Sequence, residues 1–291
     1  TQDSTGDCEI TVYPVFSGIE LVYYDVHMQS CDINLAKGRE MLIITHCQEG
    51  RIEFEYKNGE YLYLASGDLS IQKNTENIRH RYCPLSHYHG VSVAIDMNRV
   101  PRCFSCILDD VFVSPEELEM KFCSEKPYSI MRENISIEHI FSELYSVPEN
   151  IRKGYHKVKV LELLLFLSGL EYKGESEERR YFSRSQVTAA KEAKKYLLAH
   201  LDEHITITEL ADMLGISSTS LKICFKGVYG NTINGYITNC KMQKAASLLK
   251  NTDKSVLEIA GIVGYNNGSK FAGAFRRVMN KSPNEYRKSL V

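Results

Sequence analysis

The side chains best suited to metal or thiol chemistry lie between positions 83 and 106. Cys83, His87 and His89 come first, and Cys103 and Cys106 follow as a C-x-x-C pair. Thiolates and imidazoles are common Zn²⁺ ligands, and a C-x-x-C pair can also form a reversible disulfide. A zinc site made of two such pairs would need a second C-x-x-C, which the sequence lacks. We therefore predict buried or incidental thiols, no metal and no cofactor, with a thiol- or metal-sensing site as the alternative.

Motifs for the common catalytic machineries are absent from the sequence. The chain has no P-loop, G-x-S-x-G, H-E-x-x-H or dinucleotide-binding glycine fingerprint. The nine cysteines are odd in number and irregularly spaced, and no secretory signal pattern is visible, so we expect reduced thiols and a cytoplasmic protein. We predict no catalytic residue and no enzymatic activity.

A second set of candidate residues belongs to a pattern that is written twice in the last third of the chain. Glu209 and Gly215 recur as Glu258 and Gly264, 49 positions later in both cases. Apolar residues after each glycine recur 50 positions apart, namely Leu221 with Phe271 and Phe225 with Phe275. A repeated spacing of this kind indicates two similar structural units.

Each copy of the pattern predicts two helices joined by a tight turn. Thr206 with Glu209, and Ser255 with Glu258, form capping boxes in which hydroxyl and carboxylate bond the free N–H groups at a helix start. A glycine then ends the helix, since it accepts the left-handed conformation found there. Apolar residues four apart predict a second helix that packs on the first. This is helix-turn-helix geometry, in which the second helix enters the DNA major groove, although either copy alone could be a simple packing motif.

The charge distribution agrees with DNA binding. Residues 185–291 hold 15 lysines and arginines against 8 acidic residues, a formal net charge of +7, whereas residues 1–184 carry −9. A basic surface gains affinity for DNA by releasing counterions from the phosphates, although such a face can also be merely solvated. A nearly neutral chain thus contains a basic C-terminal third.

Together these residues resemble the DNA-binding domain of AraC/XylS-family transcription regulators. The resemblance rests on Glu209-Leu210-Ala211, Gly215-Ile216-Ser217, Leu221, Phe225, Glu258-Ile259-Ala260, Val263-Gly264-Tyr265, Phe271, Phe275 and Ser282-Pro283. It implies two helix-turn-helix units joined by a long helix, which we predict at residues 231–250. Units separated by about one DNA repeat, roughly 34 Å, can enter successive major grooves.

By this resemblance, DNA contacts are assigned to the second helix of each unit. The residues predicted to read base edges are Ser218, Thr219, Lys222, Ile223, Asn267, Gly268, Ser269 and Lys270. Those predicted to bind phosphates are Ser217, Lys226, Asn266, Arg276 and Arg277. Ile223 and Gly273 stand where many family members carry arginine, whose bidentate contacts with guanine are worth roughly 1–3 kcal/mol of discrimination. Lys241 replaces the family's usual arginine in the long helix, and Asn280 replaces a glycine.

The first hundred residues read as β structure. The clearest element is a hairpin at 51–64 with Asn58-Gly59 as a two-residue turn. That turn would place Phe54 opposite Tyr63 and Tyr56 opposite Tyr61, so that one face of the hairpin is aromatic. Further strands are predicted at 10–16, 19–28, 41–47, 69–71 and 90–95. Short strands separated by turns indicate a small barrel.

A barrel in this position is similar to the cupin-like sensory domain of AraC-family regulators. It implies a small-molecule effector in an aromatic interior, although the same side chains can simply form the core. A cupin-type metalloenzyme is disfavoured, because the one H-x-H, His87-Tyr88-His89, follows the Ser66-Gly67-Asp68 turn instead of preceding it. Helices are predicted after Ser114-Pro115, at 136–144 and at 158–170; the last is too short for a membrane span. By resemblance these helices link and dimerise the protein, and plain domain core is the alternative.

The predicted fold class is therefore α+β. A cupin-like β-barrel occupies residues 1–105, a helical linker that could dimerise occupies 106–184, and an all-α double helix-turn-helix domain occupies 185–291. The predicted function is sequence-specific DNA binding by a transcription regulator, an activator whose N-terminal domain senses a small molecule. Expected partners are double-stranded DNA, RNA polymerase, a second copy of the chain and an effector of unknown identity and binding residues, with no membrane.

Overall fold

The computed structural model describes residues 2–3, 6–30, 38–73, 78–100, 113–132, 135–172 and 182–289. The chain divides into two compact units, Thr1–Tyr181 and Phe182–Val291. The predicted α+β class is confirmed, because the first unit combines an antiparallel sheet with helices and the described part of the second is helical. The predicted helical region 106–184 lies almost entirely in the first unit.

The strands of the first unit form one antiparallel sheet. They are β1 (Gln2–Asp3), β2 (Gly6–Phe16), β3 (Ile19–His27), β4 (Met41–Tyr56), β5 (Tyr61–Ala65), β6 (Leu69–Lys73), β7 (Ile78–Tyr82), β8 (Tyr88–Asp96) and β9 (Tyr128–Met131). Their order is β1-β2-β3-β8-β4-β6-β9, and β5 and β7 also pair with β4. The first part of β4 pairs with β6 and β8, and its second part pairs with β5 and β7. Strand β4 thus belongs to both parts of the sheet.

The predicted hairpin is present, but its strands are shifted by one residue from the predicted register. The observed pairs include Glu53 with Tyr63, Phe54 with Leu62 and Glu55 with Tyr61. The Tyr56 N–H donates to the Glu60 carbonyl at 2.9 Å, which leaves a three-residue loop with Gly59 at a φ of +84°. The predicted pairing of Phe54 with Tyr63 is therefore wrong. The predicted pairing of Tyr56 with Tyr61 is wrong for the same reason. Since side chains alternate along a strand, the two rings of each predicted pair lie on opposite faces of the hairpin, which has no single aromatic face.

Two apolar cores lie on the two faces of the sheet. Leu21 and Val22 are neighbours in β3 and point into different cores, as the alternation of a strand requires. The core that contains Val22 also holds Phe54 and Tyr88, from both parts of the sheet. The core that contains Leu21 is covered by α1 (Pro115–Cys123), α2 (Ile135–Leu144) and α3 (Arg152–Gly169). These helices therefore share a core with the strands. None of the described helices is long and apolar enough to cross a membrane.

The elements of the second unit, in the part that the structure describes, are helices joined by turns and short loops. They are α4 (Arg184–Ala199), α5 (Ile207–Met213), α6 (Ser218–Tyr229), α7 (Ile233–Asn251), α8 (Val256–Ile262), α9 (Gly268–Met279) and α10 (Pro283–Lys288). The predicted pairs α5/α6 and α8/α9 are present, and α7 is the predicted long connection. The order of elements is therefore that of two helix-turn-helix units on one connecting helix.

Candidate nucleic-acid interface

The first helix of each helix-turn-helix unit begins at the predicted capping box. The Glu209 carboxylate accepts from the Thr206 N–H at 2.8 Å, and the Thr206 hydroxyl accepts from the Glu209 N–H at 3.2 Å. Ser255 and Glu258 repeat this exchange at 2.7 and 3.2 Å. Hydrogen bonds from the Thr206 and Ser255 side chains and backbone lower the pKa of Glu209 and Glu258. Both predicted capping boxes are confirmed.

The turn that follows each first helix depends on the predicted glycine. Gly215 has a φ of +65° and Gly264 has a φ of +75°, a left-handed conformation that costs other residues free energy. The two turns are followed by α6 and α9. The sequence pattern therefore places both second helices at equivalent points in the two units.

Helix α6 has one buried and one accessible face. Leu221, Cys224, Phe225, Val228 and Tyr229 are buried. Among the residues predicted to contact DNA, Ser217, Thr219, Lys222 and Lys226 are exposed, and Ser218 and Ile223 are partly buried. Their spacing of three and four residues places Thr219, Lys222, Ile223 and Lys226 along one stripe of the helix. This stripe is available for contact with a groove.

Helix α9 repeats the same division. Phe271, Ala274 and Phe275 are buried, whereas the predicted contacts Asn266, Asn267, Ser269, Lys270, Arg276 and Arg277 are exposed and Gly268 is partly buried. Three of these exposed residues, Lys270, Arg276 and Arg277, are basic. In each unit the predicted residues therefore lie on the second helix or immediately before it, and their roles in base or phosphate contact stay predictions.

Two of the predicted contact residues also cap the helices that follow them, a role that was not predicted from the sequence. The Ser217 hydroxyl accepts from the Ser220 N–H at 3.2 Å, and the Asn267 side-chain oxygen accepts from the Lys270 N–H at 2.9 Å. Both residues are therefore N-caps, as their types and positions before a helix could have indicated. A capping oxygen is already engaged, so DNA would be contacted by the other polar groups of these residues.

Comparisons with known proteins also find a helix-turn-helix domain in the second unit. A family model described as a helix-turn-helix domain matches residues 210–289. The xylose operon regulatory protein of Escherichia coli K12 is 31% identical over 153 residues, which covers 50% of this chain and 39% of that protein. The melibiose operon regulatory protein of the same strain is 30% identical over 93 residues, 32% of this chain and 31% of that protein. The C-terminal unit therefore contains a helix-turn-helix domain of the AraC type.

Two solved structures are similar to about a third of this chain. The C-terminal domain of the response regulator AraT from Geobacillus stearothermophilus shares 32% identity, covers 35% of this chain and 84% of that one, and has a TM-score of 0.34. The DNA-binding domain of AdpA in complex with a target DNA shares 28% identity, covers 35% of this chain and 91% of that one, and also has a TM-score of 0.34. The alignments span less than two fifths of the length of the two operon regulators.

Within the AraC-type domain, Lys241 of α7 lies between the two helix-turn-helix units. Its ammonium is 5.7 Å from the centre of the Tyr265 ring, at the turn of the second unit. Burial lowers the pKa of Lys241, and the nearby Asp202 carboxylate, between α4 and α5, opposes this shift. A Cβ on Gly264 would lie 2.6 Å from the Asp202 carbonyl oxygen, so only glycine permits this approach. The loop before the first unit is thereby packed against the turn of the second.

Among the described residues considered for metal or thiol sensing, Cys83 does not join His87 and His89 in a group that could hold a metal ion. Cys83 is only 2% exposed and belongs to an apolar core of the sheet, whereas His87 and His89 keep about a third of their side-chain surface. Cys103 and Cys106 lie outside the described residues. Burial also removes the thiol of Cys83 from easy access by oxidants.

Proposed function

We propose that this protein is a sequence-specific DNA-binding transcription regulator. The observation that carries the proposal is the pair of accessible, polar and basic stripes on α6 and α9, held by one rigid connecting helix. Helix α7 has 19 residues, and at 1.5 Å per residue it is about 28 Å long, close to the roughly 34 Å repeat of DNA. The two second helices would enter successive major grooves on one face of the duplex.

Base recognition would depend on hydroxyl, amide and lysine groups. Thr219 and Lys222 in α6, and Ser269 and Lys270 in α9, are exposed in the first two turns of their helices. Recognition helices of this class contact base edges through their N-terminal residues. Lys226, Arg276 and Arg277 lie further along and would bind phosphates, which position the protein without reading sequence.

The first unit would act as the sensor of a small organic effector. Tyr24, Phe54, Tyr56, Tyr88 and Tyr128 belong to one core of the sheet. The Tyr88 hydroxyl is buried without a hydrogen-bond partner among the described residues, which is costly unless a ligand or water completes it. An effector would regulate DNA binding only if it had different affinities for two arrangements of the protein. Assembly as a homodimer and activation through RNA polymerase are further parts of this proposal.

The proposal predicts that lysines of both second helices contribute to DNA affinity. The preferred site is first selected from a random DNA pool by the full-length protein, and affinities are then measured as a function of salt. We expect Lys222→Ala and Lys270→Ala each to weaken binding about 5- to 150-fold if the lysine reads a base, the equivalent of 1–3 kcal/mol. If the lysine binds a phosphate, its removal should instead reduce the slope of log affinity against log salt concentration by about 1.

Lys153→Ala is the matched control, because it removes the same charge from an exposed position on α3 in the other unit. It should leave affinity for the selected site unchanged. Unchanged affinity for both recognition-helix variants would overturn the assignment of α6 and α9. Selection of no motif, with binding equal on all sequences, would overturn sequence-specific regulation.

A further inference from the structure

Three histidines from separate parts of the first unit converge at one end of its sheet. His27 ends β3, His89 is the second residue of β8, and His87 immediately precedes that strand. Each offers one ring nitrogen, and these three atoms all lie within 4.8 Å of one another. We propose that this histidine cluster, His27, His87 and His89, is a binding site for a divalent transition-metal ion.

The spacing of the ring nitrogens is close to that of a metal site. Nε2 of His27 and Nε2 of His89 are 3.4 Å apart. A tetrahedral Zn²⁺ with bonds of about 2.0–2.1 Å separates its ligand atoms by about 3.3 Å. The ring of His87 lies 4.5 Å from that of His89 and 5.3 Å from that of His27, centre to centre. Its side chain is 31% exposed, so it has room to rotate toward a bound ion.

Two carboxylates complete the surroundings of the histidine cluster. One oxygen of Asp25 lies 2.8 Å from Nε2 of both His27 and His89, which places it where a fourth ligand would stand. Glu49 lies 3.3 Å from Nε2 of His87 and 3.9 Å from Nδ1 of His89. A carboxylate on the far side of a metal-bound imidazole fixes the ring and increases its basicity. The two negative charges also match the charge of a divalent ion.

The backbone explains why these side chains meet. Asp25 in β3 and Glu49 in β4 are both paired with His89 in β8, so three neighbouring strands contribute to one spot. A β-bulge immediately before Glu49 turns its side chain out of the regular alternation, as bulges do beside functional sites. Gly50 has a φ of +83°, and a Cβ there would lie 2.2 Å from the carbonyl oxygen of His87. Glycine therefore allows the chain carrying His87 to approach β4.

The ligand set also indicates which ions would bind. Imidazole nitrogens suit Zn²⁺, Co²⁺, Ni²⁺ and Cu²⁺, whereas Mg²⁺ and Ca²⁺ prefer sites made only of oxygen atoms. This cluster differs from the set considered in the sequence analysis, because it includes His27 and excludes the buried Cys83. It is also independent of the proposed DNA binding, since every residue involved belongs to the first unit.

The test is Zn²⁺ binding by the full-length protein after removal of metals with a chelator, in the presence of a non-chelating reductant. Competition with a chromophoric chelator should show a tight site of one ion per chain. His27→Ala and His89→Ala should abolish it, and Asp25→Asn should weaken it by about tenfold or more. His80→Ala and His139→Ala, which remove exposed histidines from β7 and α2, are the controls and should bind as the unchanged protein does.

Two further readouts keep the proposal falsifiable if a variant folds poorly. Zn²⁺ should raise the Tm of the unchanged protein and of His80→Ala but not of His89→Ala, because a ligand stabilises the state that binds it. Co²⁺ should give the spectrum of a site with nitrogen and oxygen ligands. Intense thiolate-to-cobalt absorption, or equal binding by His89→Ala, would overturn the proposal. DNA is not used in any of these measurements, so their failure would leave the proposed regulatory function untouched.

Discussion

At the scale of single residues, two glycines within the second helices of the AraC-type domain differ in the space around them. In α6, a Cβ on Gly227 would lie 2.1 Å from the ring of Phe182, which is buried. In α9, a Cβ on Gly273 would meet nothing within 4 Å. The missing side chain of Gly227 leaves space for the Phe182 ring, which packs near the start of the domain. Gly273 only weakens its helix, and open space surrounds the position where many family members carry arginine.

Alanine at these two positions should therefore have opposite effects on stability. Gly273→Ala should raise the free energy of unfolding by about 0.5–1 kcal/mol, the usual gain in a helix interior. Gly227→Ala should lower it by about 1–3 kcal/mol, because the new methyl group displaces the Phe182 ring. Urea denaturation followed by far-ultraviolet circular dichroism measures both. A loss of stability in Gly273→Ala would contradict the open surroundings of that residue.

At the scale of elements, the helices of the AraC-type domain are defined by signals local in the sequence. Hydroxyl and carboxylate three residues apart, followed by a glycine, predicted the starts and ends of α5 and α8, because both partners of each hydrogen bond lie within one turn. The hairpin register could not be obtained in this way. Asn58-Gly59 is compatible with a two- or three-residue loop, and the three-residue loop places Leu62 and Leu64 of β5 in the same core as Phe54.

The capping boxes should contribute measurably to stability. Thr206→Ala and Ser255→Ala should each lower the free energy of unfolding of the AraC-type domain by about 1 kcal/mol. Ser269→Ala is the control, since Ser269 lies in the first turn of α9 but is not its cap. Equal losses in all three variants would mean that the cap hydrogen bonds are not responsible.

The contribution of Glu258 should depend on pH. Its folded pKa is lowered by hydrogen bonds from Ser255, so its stabilising effect is complete above its unfolded pKa and is lost as pH falls through its folded pKa. The difference in unfolding free energy between the unchanged protein and Glu258→Gln should accordingly shrink in acid. A difference that grows as pH falls would contradict this role of the carboxylate.

At the scale of the whole molecule, charge is divided between the C-terminal third of the chain and the rest of it. Residues 185–291 carry a formal net charge of +7 and residues 1–184 carry −9. The sequence alone was sufficient to reveal this division and the repeated pattern. It was not sufficient to predict the histidine cluster, because His27 and His89 are 62 residues apart and meet only through the pairing of β3 with β8. It also left open whether α1, α2 and α3 share a core with the sheet.

The acidic first unit should reduce nonspecific attraction to DNA. At low salt, a fragment comprising residues 182–291 should bind random-sequence duplex more tightly than the full chain, because the repulsion from residues 1–181 is removed. The difference should narrow as salt is raised, since screening weakens long-range repulsion. Fluorescence anisotropy over a range of salt concentrations measures both affinities. Tighter binding by the full chain at every salt concentration would contradict this role of the first unit.

The close approach of Gly264 to the Asp202 carbonyl would limit which mutations the proposed DNA sites tolerate during evolution. This contact leaves no space even for a methyl group, so we expect it to resist sliding or turning of the second unit against the loop before the first. One inserted base pair between the two contacted grooves would rotate the second by about 34° and move it by about 3.4 Å. Base substitutions would therefore weaken an operator step by step. A single insertion or deletion would instead abolish binding in one step. Related operators should therefore differ in base sequence but keep the same spacing between the two contacted grooves.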